Sequence, residues 1–194
     1  MERRLLITGF DPFGGEQINP SWEAVRLLPE RIGDFVLRKK QIPTQFHAGA
    51  RAVLEEATLW QPHVILCVGQ AGGRSAVTPE RIGVNLRDAR IRDNAGCQPQ
   101  NERICPEGPD GIFATVPVKE MAEAIQKAGY PGAVSNTAGT FVCNEVLYTL
   151  LHTFAGTDVK VGFIHVPYLP EQGSPNMPLE DIRGALGAII QALS

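Results

Sequence analysis

The sequence predicts an α/β protein, a three-layer α/β/α sandwich around a twisted, largely parallel central sheet. Three observations carry that reading. Val64-Ile65-Leu66-Cys67-Val68 is an unbroken apolar run ending at Gly69, the pattern of a strand covered on both faces. Residues 4–10 form a second apolar run, and a Gly-rich loop leaves each: Asp11-Pro12-Phe13-Gly14-Gly15 after the first, Gln70-Ala71-Gly72-Gly73-Arg74-Ser75 after the other. Segments with helical spacing lie between such runs, so strands alternate with helices. The 194 residues suffice for one core, and we read a single domain over 1–194.

In chain order, residues 4–10 read as a buried strand. Ser21 is then read as the N-cap of a short helix whose apolar face is Trp22, Val25 and Leu28, stopped by Pro29. Residues 35–42 mix apolar residues with Lys and Arg, as a strand nearer an edge does. Residues 46–60 place Ala50, Val53, Leu54 and Ala57 on one helical side before Pro62, and the 64–68 strand follows. Residues 81–86, 112–116 and 132–135 read as short strands and 118–127 as a helix. The polar stretch 88–111 reads as irregular, a flap or excursion. Residues 159–166 form a clear strand and 179–193 a closing helix. Within 134–152, a small polar first part turns into a helix with Val142, Val146, Leu147, Leu150 and Leu151 at helical spacing, so Cys143 sits in its first turn.

Composition narrows the function. A hydrophobic fraction of 43%, a charged fraction of 20% and a net charge of -3 give no electrostatic case for nucleic acid or an anionic membrane. The apolar run after Arg3 and Arg4 is interrupted too early for a signal-peptide core, and no apolar stretch has transmembrane length. Cys67, Cys97, Cys105 and Cys143 are scattered, without metal-ligand or disulfide spacing, so the expectation is a reduced, cytoplasmic protein without a metal.

In parallel sheets ligands gather outside the carboxyl ends of the strands. Phe10, Phe13, Gln70, Cys143 and His165 all fall at or just beyond such ends. Cys143 meets the helix dipole and the free N–H groups of a first turn, which favour a thiolate; its bland alternative is a small buried hydrophobe. A cysteine nucleophile needs a base, and the base needs an orienting group. His47, His63 and His152 read as surface or capping residues. His165 ends an apolar strand before the rigid Val166-Pro167-Tyr168, and is either the base or a core histidine. The orienting carboxylate is open among Asp11, Glu80, Asp88, Glu145 and Glu171, and Glu80, beside Arg81, reads from its neighbours as an exposed ion pair. The Gly-rich loops match neither the dinucleotide nor the P-loop pattern.

Four runs decide further: TGFDPFGGEQINPSWEA (8–24), VGQAGGRSAVTPERIGVNLRDARIRDN (68–94), SNTAGTFVCNEVLY (135–148) and FIHVPYLPEQ (163–172). Together they resemble the pyroglutamyl peptidase I family, cysteine peptidases that remove an N-terminal pyroglutamyl residue, and the likeness covers nearly the whole chain. The resemblance implies Cys143 as nucleophile, His165 as base and Glu80 as orienting carboxylate. It implies an apolar lactam pocket of Phe10, Phe13, Phe141 and Val142, with Asn19 and Gln70 at its polar edge and Arg90 supporting the site. It also implies a cytosolic homotetramer that acts on peptides and uses no cofactor. Gln70 suits a lactam because an amide offers both a donor and an acceptor. Departures from the pattern are Arg92, Glu145 and the segment around Cys97 and Cys105.

Overall fold

In a computed structural model, residues 3–194 are described. The elements are β1 (Arg3–Phe10), α1 (Pro20–Arg26), β2 (Arg31–Ile32), β3 (Phe35–Ile42), α2 (Ala48–Trp60), β4 (Val64–Gln70), β5 (Thr78–Pro79), β6 (Ile82–Val84), β7 (Gly111–Phe113), α3 (Val118–Lys127), α4 (Val142–Thr153), β8 (Lys160–Val166) and α5 (Leu179–Ala192). The main sheet has the order β2-β3-β1-β4-β8-β5. Its four long strands are parallel, and the two-residue β2 and β5 close its edges antiparallel. The α/β expectation is met.

Alternation along the strands builds a core on each face. Leu5 and Ile7 of β1 join Leu66 and Ile164 beneath α1, α3 and α5. Leu6 and Phe10 join Cys67 and Phe163 beneath α2 and α4. Strands covered on both sides must be apolar at every position, which is why β4 reads as a continuous run.

Four local expectations are corrected. Asn19, not Ser21, caps α1: its Oδ1 accepts from the Ser21 N–H, and Pro20 occupies the first helical position, where a missing N–H costs nothing. Residues 132–135 make only isolated bridges, Val77 with Gly132 and Glu80 with Ser135, so that run is not a strand. The strands expected over 81–86 and 112–116 shrink to β6 and β7, which pair with each other outside the main sheet.

No helix or strand is present between β6 and β7, as expected of 88–111, but the excursion is pinned by side chains. Asn85 accepts from the N–H groups of Ile104 and Cys105 and donates to the carbonyls of Cys105 and Gly108. Buried Asp93 accepts from the N–H groups of Phe46, Ala95 and Cys97, tying the excursion to the start of α2. Glu145, 1% exposed, pairs with Arg87 and accepts from the His47 N–H. This departure from the family pattern therefore fastens the excursion to α4.

Candidate active site

The parallel strands end on one side of the sheet, and a cavity of about 370 Å³ opens there, lined by Phe10, Phe13, Asn19, Gln70, Arg90, Phe141, Cys143 and His165. These come from the ends of β1, β4 and β8, the loop after β1, the start of α4 and the 88–111 excursion. Phe13 and Phe141 pack in a tilted pair at 6.1 Å between ring centroids, and Phe46 meets Phe141 edge-on at 5.3 Å, so the aromatic wall is braced by a third ring.

Two expected pocket residues play other parts in the architecture. Val142 is fully buried in the core beside α2 and does not line the cavity, because on the first turn of α4 it packs towards Gly49 of α2. Asn19 lines the cavity, yet its amide is committed to the chain: Oδ1 takes the N–H and hydroxyl of Ser21, and Nδ2 donates to the Asp11 carbonyl. It shapes the cleft by fixing the turn after β1. Arg90 is exposed at the rim.

Cys143 is the second residue of α4, where helix geometry leaves N–H groups without carbonyl partners. Its sulfur lies over β4: a Cβ at Gly69 would stand 2.9 Å from the Cys143 Sγ and 2.9 Å from the Phe163 ring. Gly69 is also the register partner of His165 across the β4–β8 pair, and neighbouring strands run about 4.8 Å apart. A glycine at this point thus admits the thiol beside the strand that carries the imidazole.

The Nδ1 of His165 lies 2.7 Å from Oε1 of Glu80, and the Phe163 ring packs 4.9 Å from the imidazole. Glu80 is 0% exposed, which overturns its reading as a surface ion pair. Its partner is not Arg81 but Arg74, whose guanidinium donates to the same Oε1 at 2.6 Å and also to Thr78 Oγ1 and the Thr137 carbonyl. Asp11 is engaged elsewhere, accepting from the Thr44 N–H and Asn94.

Protonation follows from these contacts. Burial pushes the Glu80 carboxyl up, but the hydrogen bond and charge of His165, with Arg74 behind it, outweigh that and hold it below the usual carboxylate range. Burial holds His165 below the ordinary histidine value against the pull of Glu80. An anionic Glu80 accepts a hydrogen bond from the Nδ1–H of a neutral imidazole, leaving the Nε2 lone pair for the cleft. Burial, reinforced by the Glu80 charge, pushes the Cys143 thiol up to about 12. Loss of hydration and the helix end thus act on the Cys143 thiol in opposite directions.

A second cleft, about 230 Å³, holds Cys105 with its sulfur 3.8 Å from His152 Nε2. Among the described residues no carboxylate hydrogen-bonds that imidazole, so the pair lacks an orienting group there. Among the described residues no group of three or more His, Cys, Asp and Glu is disposed to hold a metal, and no helix is long and apolar enough to cross a membrane.

The family model described as pyroglutamyl peptidase matches residues 3–194. The chain belongs to the pyroglutamyl peptidase family. It is 49% identical over 197 aligned residues to a pyrrolidone-carboxylate peptidase of Staphylococcus saprophyticus, covering 98% of this chain and 92% of the relative. The fold matches the crystal structure of pyroglutamyl peptidase I from Bacillus amyloliquefaciens at a TM-score of 0.95 and 46% identity, covering 99% of this chain and 95% of that one. Pyrrolidone carboxyl peptidase from Thermococcus litoralis matches at 0.94 and 33% identity, over 98% and 92% of the two chains. Membership of a pyroglutamyl peptidase family supports an enzyme that releases N-terminal pyroglutamate.

Sequence reasoning missed Arg74 and Gly69 as parts of this site. Both lie within the quoted run 68–94, and the signal was available: a glycine at a strand's carboxyl end, and a second Arg, six residues before Glu80.

Proposed function

We propose that the chain is a cofactor-free cysteine peptidase that removes pyroglutamate through Cys143, His165 and Glu80, by way of a thioester. The observation that carries this reading is the buried 2.7 Å contact of His165 Nδ1 with Glu80 Oε1, in a cleft that His165 shares with Cys143 and an aromatic wall. Pyroglutamate carries neither charge nor free amine, so a pocket of Phe10, Phe13 and Phe141 with an amide at its edge matches it.

In the reaction, His165 Nε2 takes the thiol proton as the Cys143 sulfur attacks the pyroglutamyl carbonyl carbon. The developing oxyanion faces the N–H groups of the α4 N-terminus, the Cys143 N–H among them. The imidazolium, stabilised by Glu80, returns its proton to the departing amine as the C–N bond breaks and the thioester remains. Water then attacks the thioester with His165 again as base, releasing pyroglutamate and the free thiol. Arg74 acts through Glu80, holding its carboxylate against the imidazole; Arg90 supports the rim. Val142 supports the pocket from below and Asn19 from the α1 cap.

The same reading makes residues 1–194 one catalytic domain, cytoplasmic and assembled as a homotetramer; light scattering of the purified protein tests the assembly. The decisive experiment is turnover of a chromogenic pyroglutamyl amide. The protein should hydrolyse it and Cys143→Ser should not, with the melting temperature unchanged, because a hydroxyl is a far weaker acid than a thiol. Absence of turnover by the wild type, or more than a few per cent retained by a homogeneous variant, would refute the proposal.

A further inference from the structure

Gln70, the last residue of β4, carries the only side-chain amide that both lines the cleft and keeps its NH2 free of hydrogen bonds among the described residues. Its other end is taken. Gln172, in the loop after β8, donates from Nε2 to Gln70 Oε1 at 3.0 Å. The orientation of Gln172 is itself dictated by backbone: its Oε1 accepts from the Leu169 N–H at 3.0 Å, and its Nε2 also reaches the Ile18 carbonyl at 3.4 Å. A backbone N–H can only donate and a carbonyl only accept, so turning the Gln172 amide over would set two like groups against each other. Rotation of a free Gln70 amide would exchange donor and acceptor at nearly equal cost; tied to Gln172, it has one orientation.

We infer that Gln172 is a specificity-determining positioning residue, which orients Gln70 so that the cleft presents an N–H donor to the ring at the substrate's N-terminus. The inference rests on the peptidase reading and deepens it. The ring selected must carry a hydrogen-bond acceptor at that point, as the lactam carbonyl does. A plain pyrrolidine ring leaves the Gln70 NH2 unpaired, and a ring with a donor there opposes it. Gln70 therefore does not serve both the donor and the acceptor of the lactam, as the two functions of its amide suggested; it reads the carbonyl alone.

The test uses two substrates with the same fluorescent leaving amine: the pyroglutamyl amide, and its cyclic amidine analogue, in which the ring C=O is replaced by an amidinium donor. In Gln172→Glu, one carboxylate oxygen still accepts from Leu169, while the other faces Gln70 and draws its NH2 away from the cleft, turning Oε1 inward. The lactam should lose about tenfold to a hundredfold in kcat/KM, mostly in KM, and the lactam-to-amidine ratio should fall by about a hundredfold or more. Gln172→Met removes the constraint without adding charge, and should lower the ratio by about tenfold. If Gln172 only props its loop, both substrates lose rate in proportion. An unchanged ratio in whichever of the two variants folds would overturn this inference while wild-type turnover of the lactam left the peptidase reading standing. Failure of the wild type to turn over the lactam would overturn both.

Discussion

Replacing Glu80 by Gln isolates what its charge contributes. The carboxylate accepts from His165 Nδ1 at 2.7 Å and from Arg74 at 2.6 Å through the same oxygen. An amide keeps both contacts by placing its Oε1 there, since the alternative sets an NH2 against two donors. The hydrogen bonds therefore survive and the charge does not. Imidazolium and carboxylate centres about 4 Å apart attract by about 4 kcal/mol at an effective dielectric constant of about 20. In the variant the imidazolium also faces an Arg74 guanidinium that is no longer balanced. At about 1.4 kcal/mol per decade, kcat/KM for a pyroglutamyl amide should fall by about 10²- to 10³-fold at pH 7.5. The acid limb of the pH profile should move lower as well, because a less stabilised imidazolium loses its proton sooner. Stability should drop by about 1 to 3 kcal/mol, since Oε2, buried without a hydrogen-bond partner, becomes a buried donor. The measurements are steady-state kinetics across pH and thermal unfolding of both proteins. A loss of less than about tenfold, with the limb unmoved, would remove Glu80 from the catalytic set.

Two further outcomes follow from the same geometry. In the proposed mechanism His165 must be neutral to act as base, and burial holds it below the ordinary histidine value, so kcat/KM should be flat from pH 7 upward and fall only below about 6.5, while alkylation of Cys143, followed by mass spectrometry, should keep rising with pH towards about 12; an alkylation rate already at its plateau at pH 5 would mean a standing thiolate and refute this. In Gly69→Ala the new Cβ meets the Cys143 sulfur and the Phe163 ring, both at 2.9 Å, so kcat should fall by about a hundredfold as the sulfur is displaced and stability by about 1 to 3 kcal/mol; a variant with more than half the wild-type kcat would show that the sulfur does not need this space.

Much of the fold was legible because its strands are covered on both faces. Burial on two sides forces an apolar residue at every position, and Val64 to Val68 announces β4 without any tertiary information. Edges carry no such pattern. β5 is Thr78-Pro79, a strand only because β8 offers it an edge, and residues 132–135 resemble a strand but find single bridges. The same limit hid Glu80. Flanked by Pro79 and Arg81 it looks solvated, and its burial comes from β8 on one side and an Arg74 tether on the other. Cys143 and His165 were visible as residues placed at strand ends, whereas the choice of third group came from the family resemblance. The Asn19 cap was misplaced by two residues although Asn-Pro is itself a helix-start signal.

The charge state of the resting site explains why so much structure converges on one glycine and one carboxylate. Burial raises the Cys143 thiol and lowers the His165 imidazole, and both shifts favour the neutral pair over the ion pair. On the proposed function that suits a pocket for an uncharged ring, because a standing thiolate would keep water in an aromatic cleft that would have to exclude it to bind the lactam. The consequence is that charge separation is deferred to the attack itself, and the groups that stabilise it must already be in place. Glu80 is locked by Arg74, Arg74 by Thr78 and the Thr137 carbonyl, and the sulfur by the gap at Gly69. Each link is buried or tied to backbone, so little reorganisation remains when the proton moves from sulfur to nitrogen. A site that relied on a preformed thiolate could tolerate a looser carboxylate; where the imidazolium forms only during the attack, the Glu80 substitution is expected to lower the rate as well as the stability.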